Sequence, residues 1–284
     1  MIEKYCTERA RDDRSINTVE DIERIETDAW TDLFAAAPTD FAKNFGLSVT
    51  RMDDHILFAV KKSPSTLYNR SSVIGILQSL DEAALGEATR WLREHCGPTW
   101  AIPIAPGAQP SELPALLVKN GLTPMKPDTA KFWRDATALS QAVECQYEVR
   151  LATEEHAADF GFTISQGFEM HEGFAIWRAA LCGRRHWRTY VVYDGLEPAG
   201  AGAMYIRDNL AWLGMTTTLP SYRGKGVQRA LLTRRINDAA DLGAKLLTIE
   251  TLHAGADEPQ NASYRNVIRA GFSIAYLRRQ YTAQ

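Results

Sequence analysis

The sequence predicts an α/β protein in which helices flank a mixed central sheet, with the pattern occurring twice along the chain. Three observations carry this expectation. Hydrophobic residues make up 45% of the 284 residues and charged ones 24%, enough to bury a substantial core. Segments with strand-like apolar runs alternate with segments of helical periodicity. Each half also ends in the same order: strand, long helix, strand, short helix stopped by glycine, closing strand.

In the first half, Thr18 stands as a cap before a helix beginning at Val19. Ile22, Ile25, Ala29, Trp30, Leu33 and Phe34 then repeat at helical spacing down to Pro38. The stretches LSVTRM (47–52) and HILFAV (55–60) predict two strands turned at Asp53-Asp54. Residues 72–77 read as a strand, 81–95 as an amphipathic helix ending before Gly97-Pro98, and 100–104 as a strand. A short helix over 110–120 stops at Gly121, and 130–133 closes the half. In the second half, 147–151 is a strand, followed by helical material broken around Gly161 to Gly167. Strands follow at 189–193, 199–206 and 210–219, then a helix at 226–242, a strand at 246–251, a helix at 260–269 and a strand at 272–277. A boundary within 138–146 divides the chain into domains at 18–140 and 146–284, preceded by a charged arm over 1–17.

Composition excludes several function classes. With 32 basic and 35 acidic side chains the net charge is -3, and the basic residues form no arm or periodic stripe, so nucleic acid is not an expected partner. No stretch approaches 18 uncharged apolar residues, which argues against a membrane span, and the N-terminus lacks a signal-like apolar region. Cys6, Cys96, Cys145 and Cys182 are far apart and form no CxxC pair, so neither a metal centre nor a disulfide framework is expected. Reduced thiols fit a cytoplasmic protein. A homodimer is an allowed assembly.

The chemistry concentrates in LPSYRGKGVQRALL, residues 219–232, between a strand and a long helix. Gly224 and Gly226 permit a tight turn and close backbone approach to a ligand. The free amides of the next helical turn point outward at its positive end, where a phosphate settles, and Arg223, Lys225 and Arg229 add positive charge there. The segment is not a P-loop, because no GK[ST] follows, and it lacks the dinucleotide spacing. A glycine pair at such a turn also occurs without any ligand.

From Ala211 to its end the chain resembles the GCN5-related N-acetyltransferases, the GNAT superfamily. The family's loop pattern (Gln or Arg, two residues, Gly, one residue, Gly or Ala) is met by Arg223 and Gly226, with Gln228 in the last, small position. The run 260–272, QNASYRNVIRAGF, resembles the family's second signature, an Asn-opened short helix closing in Gly-Phe. The resemblance implies an acyl-CoA N-acyltransferase fold, and acetyl-CoA as co-substrate. Its pyrophosphate would lie at Arg223, Gly224, Lys225, Gly226, Val227, Gln228 and Arg229. Its pantetheine would lie along the strand edge Met215, Thr216, Thr217, Thr218 and Leu219, with Asn261, Ser263 and Asn266 as further polar contacts. The first half has the same element order without a glycine loop between Leu77 and Glu82, and so reads as a degenerate copy that does not hold CoA.

The implied reaction is direct attack of a small-molecule or peptide amine on the thioester. The family's frequent acid, a Tyr four residues before the glycine, is replaced by Val267. Glu172 and Glu250 are the candidate bases, with Glu169, His171 and His253 nearby in sequence, and Tyr276 is the candidate acid. For each, a solvated or packing role is the alternative. A cofactor-binding or sensing protein without catalysis, or a structural protein on the same scaffold, remains as a different class.

Overall fold

The two halves are joined through their closing strands. The computed structural model describes residues 18–139, 146–255 and 259–283. The arm expected over 1–17, Cys6, Cys145 and most of the expected boundary lie outside the described residues. The first half runs α1 (Thr18–Ala35), α2 (Thr39–Phe45), β1 (Leu47–Met52), β2 (His55–Val60), β3 (Arg70–Ser72), α3 (Glu82–His95), β4 (Ala101–Ile104), α4 (Leu113–Lys119) and β5 (Leu122–Asp135). The second runs β6 (Glu148–Leu151), α5 (Ala157–Gly167), α6 (Phe174–Ala179), β7 (Trp187–Asp194), β8 (Glu197–Arg207), β9 (Leu210–Thr218), α7 (Val227–Asp241), β10 (Leu246–His253), α8 (Ala262–Arg269) and β11 (Ser273–Ala283).

The eleven strands among the described residues form one mixed sheet in the order β1-β2-β3-β4-β11-β5-β10-β9-β8-β7-β6. Only β3–β4 and β9–β10 are parallel. The closing strand of each half has crossed into the other. β5 pairs with β10, placing Ala130 opposite Thr251, and β11 pairs with β4, placing Arg279 opposite Ile104. β5 and β11 also pair with each other at the centre. Neither half therefore completes its sheet alone.

Side-chain alternation covers both faces. On β7, Val191 and Tyr193 join the core under α1, α5 and α6, whereas Tyr190 and Val192 join the core under α7 and α8. A third core packs α3 and α4 on the first half. The apolar stripe expected on α1 is buried as read, from Ile22 to Phe34, and its core includes Phe58 of the first half and Trp177 and Trp212 of the second. Trp177 Nε1 donates to Leu33 O at 2.7 Å, and Arg184 and Trp187 both donate to Asp32. α1 is thus wedged between the halves.

The structure corrects several sequence readings. The strand expected over 72–77 ends at Ser72, because Val73 (φ 52°) and Gly75 (φ 70°) turn the chain. The helix break expected at Gly161 to Gly167 is absent, since α5 is continuous there. Gly161 instead lets α6 approach: an added Cβ would lie 2.2 Å from Ala175 O. α2 had no sequence counterpart. No helix among the described residues is long and apolar enough to cross a membrane.

Candidate functional site

The site begins where β9 and β10 part. Their parallel pairing runs only from Leu210–Leu246 to Leu213–Ile249. Beyond that point β9 stays with β8, while β10 follows β5. Met215 adopts φ 51°, and the β8–β9 register skips Met215 and Thr216, which have no partner position on β8. Two features hold this bulge. The Trp212 indole folds across Gly214, where an added Cβ would sit 2.0 Å from the ring. Fully buried Arg235 donates to Leu231 O at 3.2 Å, Ala203 O at 3.0 Å and Gly214 O at 3.2 Å, and burial lowers its pKa to about 10.

A cavity of about 460 Å³ opens in the gap. Gly214, Met215 and Thr216 line it from β9, Ile249 to Leu252 from β10, Gln228 and Leu232 from α7, and Ser263 and Val267 from α8. The opposite wall comes from the first half and from α6: Trp30, residues 65–68, Arg70 and Arg178, with Phe168 and Met170 beside them.

At one end stands the start of α7. Gly224 (φ 76°) and Gly226 (φ 85°) both take the left-handed conformation, and nothing lies within 4 Å of an added Cβ at either. Backbone conformation, rather than space, calls for glycine here. Gly226 occupies the cap position with no side-chain cap, so the first-turn amides remain available to an anion. Arg223, Lys225 and Arg229 are exposed around them, while Val227 turns into the core.

The equivalent helix start in the first half is chemically opposite. Asp81 caps α3, accepting from Ala84 N at 2.7 Å, and Asp53 and Asp54 line the small pocket beside it. Gly75 is packed, because an added Cβ would lie 2.7 Å from Gln109 O. Carboxylates at a helix N-terminus occupy the place a phosphate would need.

The other expected contacts divide. Gln228, Ser263 and Asn266 come together: Gln228 Nε2 donates to Ser263 Oγ at 3.1 Å, and Asn266 Nδ2 donates to Gln228 Oε1 at 2.7 Å. Asn261 caps α8, accepting from Tyr264 N at 2.8 Å and donating to Leu252 O at 2.9 Å. Thr217 packs against Gly167, and the Leu219 amide donates to Ala199 O at 3.0 Å, so neither faces the cavity. Thr218 lies outside the cavity lining as well.

Of the candidate acid–base residues, only Glu250 reaches the cavity. It accepts from Lys131 at 2.9 Å and Arg278 at 2.8 Å. Burial alone would raise its pKa, but Lys131, Arg278 and Arg70 outweigh it and hold the carboxyl at about 2. Such a carboxylate is a poor proton acceptor near neutrality. Tyr276 is not among the cavity-lining residues and donates to Glu23 Oε1 at 2.6 Å; burial and Glu23 push the phenol's pKa well up. Glu172 is exposed and outside the lining. Glu250 belongs instead to a buried cluster of Glu23, Glu26, Arg70, Lys131 and Arg278.

Sequence reasoning missed the far wall. Nothing local marks Tyr68 or Arg70, since long-range folding alone brings them there. Arg178 did leave a signal, as a single charge inside the apolar run FAIWRA. Among the described residues no group of three side chains is arranged to hold a metal.

Residues 150–267 match the family model described as Acetyltransferase (GNAT) family. No curated protein matches the chain. Among solved structures, a GCN5-related N-acetyltransferase from Kribbella flavida is similar at TM-score 0.64 and 14% identity, covering 95% of this chain and 96% of that one. A tandem GNAT protein from the clavulanic acid biosynthesis pathway is similar at TM-score 0.58 and 16% identity, covering 94% and 95%. An acetyltransferase from the GNAT family of Colwellia psychrerythraea gives TM-score 0.55 at 14% identity, covering 95% and 99%. At these identities the likeness concerns the fold, and it extends over nearly the whole chain.

Proposed function

We propose that the protein, whose residues 150–267 match the acetyltransferase (GNAT) family model, moves an acetyl group from acetyl-CoA to a primary amine of a small molecule or peptide. The observation that carries this reading is the uncapped, glycine-led start of α7, ringed by Arg223, Lys225 and Arg229, beside the β9–β10 gap. The residues fit the cofactor. The α7 amides and three cations would hold its pyrophosphate, and the unpaired β9 positions Met215 and Thr216 would receive its pantetheine arm. The capped α3 start of the first half is unsuited to the same task, and that half contributes the acceptor-side wall instead.

When bound, acetyl-CoA supplies a thioester: the amine nitrogen bonds to the carbonyl carbon as the C–S bond breaks and the sulfur leaves as thiolate. The chain's own part is mainly orientation. The Met215 bulge, pinned through Arg235, offers backbone amides to a developing oxyanion. Glu250, held ionised by Lys131 and Arg278, is not the base, so the amine's proton passes to water. Val267 brings no proton to the leaving sulfur; Ser263 is the hydroxyl that α8 brings to the cavity.

One observation favours a second reading, a cofactor-binding or sensing protein. Gln228 bridges α7 and α8 at the family's small position, tying the two helices together beside the cavity. The discriminating experiment supplies acetyl-CoA with a broad panel of amines and peptides, following free thiol and product mass. Acetylated product above cofactor hydrolysis supports the transferase. Cofactor binding with no transfer to any member supports the sensor.

A further inference from the structure

The charges around the cavity do not balance. In the buried cluster, Glu23, Glu26 and Glu250 match Arg70, Lys131 and Arg278. Two further buried arginines line the cavity. Arg235 is committed to three backbone carbonyls. Arg178, only 1% exposed, has no carboxylate partner among the described residues. Its Nη2 donates to Tyr68 Oη at 2.6 Å, its Nη1 meets only the Met215 thioether at 3.9 Å, and its Nε has no partner.

The aromatic neighbours do not remove this deficit. The guanidinium lies over the Trp177 ring at 4.5 Å and near the Tyr68 ring at 5.2 Å, contacts that stabilise the charge through ring faces. Its in-plane donors stay under-used, and a buried cation whose one oxygen acceptor is a neutral phenol is costly. Trp177 is itself fixed by its bond to Leu33 O, so the guanidinium is held in place before any ligand arrives. It stands beside Met215, the bulge where the acyl group would be presented. A planar fork backed by rings and lacking an anion is suited to a carboxylate. Trp30, Phe168, Met170 and Trp212 surround that position with apolar surface.

We propose that Arg178 binds a carboxylate carried by the acceptor, so that the amine taken by this cavity is an amino acid or similar amino-carboxylate with an apolar body. This rests on the transferase reading for the word acceptor; the carboxylate site itself rests on Arg178 and the cavity. The thioether of Met215, a weak acceptor, gives way to the carboxylate oxygens.

The test titrates the full chain with 3-phenylpropionate and with its neutral analogue 3-phenylpropanamide, by calorimetry and tryptophan fluorescence. The wild type is expected to bind the carboxylate about tenfold or more tightly than the amide. In Arg178→Met that preference disappears. If Arg178→Met does not fold, Arg178→Lys carries the test, and its preference should shrink because the fork is lost. Equal binding of the two probes, no saturable binding of the carboxylate by wild type, or an undiminished preference in the variant overturns the proposal. Acetyl-CoA is titrated separately into wild type. Failure there refutes the transferase reading and leaves the carboxylate arm to be judged alone.

Discussion

Glu26 on α1 is the most heavily committed carboxylate among the described residues, and Glu26→Gln tests whether the buried charges hold the halves together. It accepts from Arg70 at 2.7 Å, from Arg278 at 3.1 Å through both terminal nitrogens, and from Lys131. Those cations sit on β3, β11 and β5, so one carboxylate ties α1 to strands of both halves. Glutamine keeps the shape but leaves three cations facing two carboxylates, and it aims an amide N–H₂ at a cation. Removing one partner of a buried pair costs about 3–5 kcal/mol, and three partners place this case toward the upper end. At about 2–4 °C per kcal/mol for a large domain, the melting midpoint should fall by roughly 10–20 °C. The control is Glu82→Gln, whose pair with Lys119 joins side chains 55% and 65% exposed and should shift stability by less than about 0.5 kcal/mol. Thermal unfolding followed by tryptophan fluorescence measures both. Indistinguishable midpoints for the two variants would refute the role given to the cluster.

Other outcomes follow from the same geometry. Glu23 and Glu250 both have folded pKa values below their ordinary 4.5, Glu250 at about 2, so their stabilisation is complete above about pH 4.5 and is lost as pH falls toward 2. A denaturation midpoint that stays flat from pH 5 to about pH 3 contradicts this. Gly161→Ala should destabilise by about 1–3 kcal/mol, because its Cβ meets Ala175 O and pushes α5 from α6; an unchanged melting temperature would deny that close contact. Val267→Ala should cost about 1–3 kcal/mol of packing and leave the shape of any pH–rate profile unaltered, whereas a displaced profile would give Val267's surroundings a part in proton transfer.

What the sequence made legible was local. The α1 stripe, the strand–helix order of both halves and the glycine-led start of α7 all depend on residues close in the chain. What stayed hidden depends on distant pairings. No feature of 122–135 or 273–283 announces that the closing strands exchange places, because either would serve as an ordinary final strand in its own half. Glu23 and Glu26 look like solvent-facing charges on an amphipathic helix, and only Lys131 and Arg278, more than a hundred residues away, make them interior. Gly161 was misread for a related reason: glycine marks a break in local statistics, while here it marks contact with another helix. At the candidate site, the glycine-led α7 start and the polar residues of α8 were readable from short motifs. The opposite wall was not, since Trp30, Tyr68 and Arg178 meet there from three separate segments.

The start of α7 is proposed to receive the pyrophosphate of acetyl-CoA. Calorimetric titration of acetyl-CoA into wild type, Gly226→Asp and Gly107→Asp tests it most directly. Gly107 is also left-handed, at φ 83°, with open space around it and no place at the α7 loop, so it reports the strain of the substitution without the charge at the loop. Saturable binding by wild type and Gly107→Asp, with about tenfold or greater loss in Gly226→Asp, is the predicted result, because a carboxylate then faces the phosphates at a helix N-terminus. Equal affinity in all three proteins, or no binding by wild type, would contradict it.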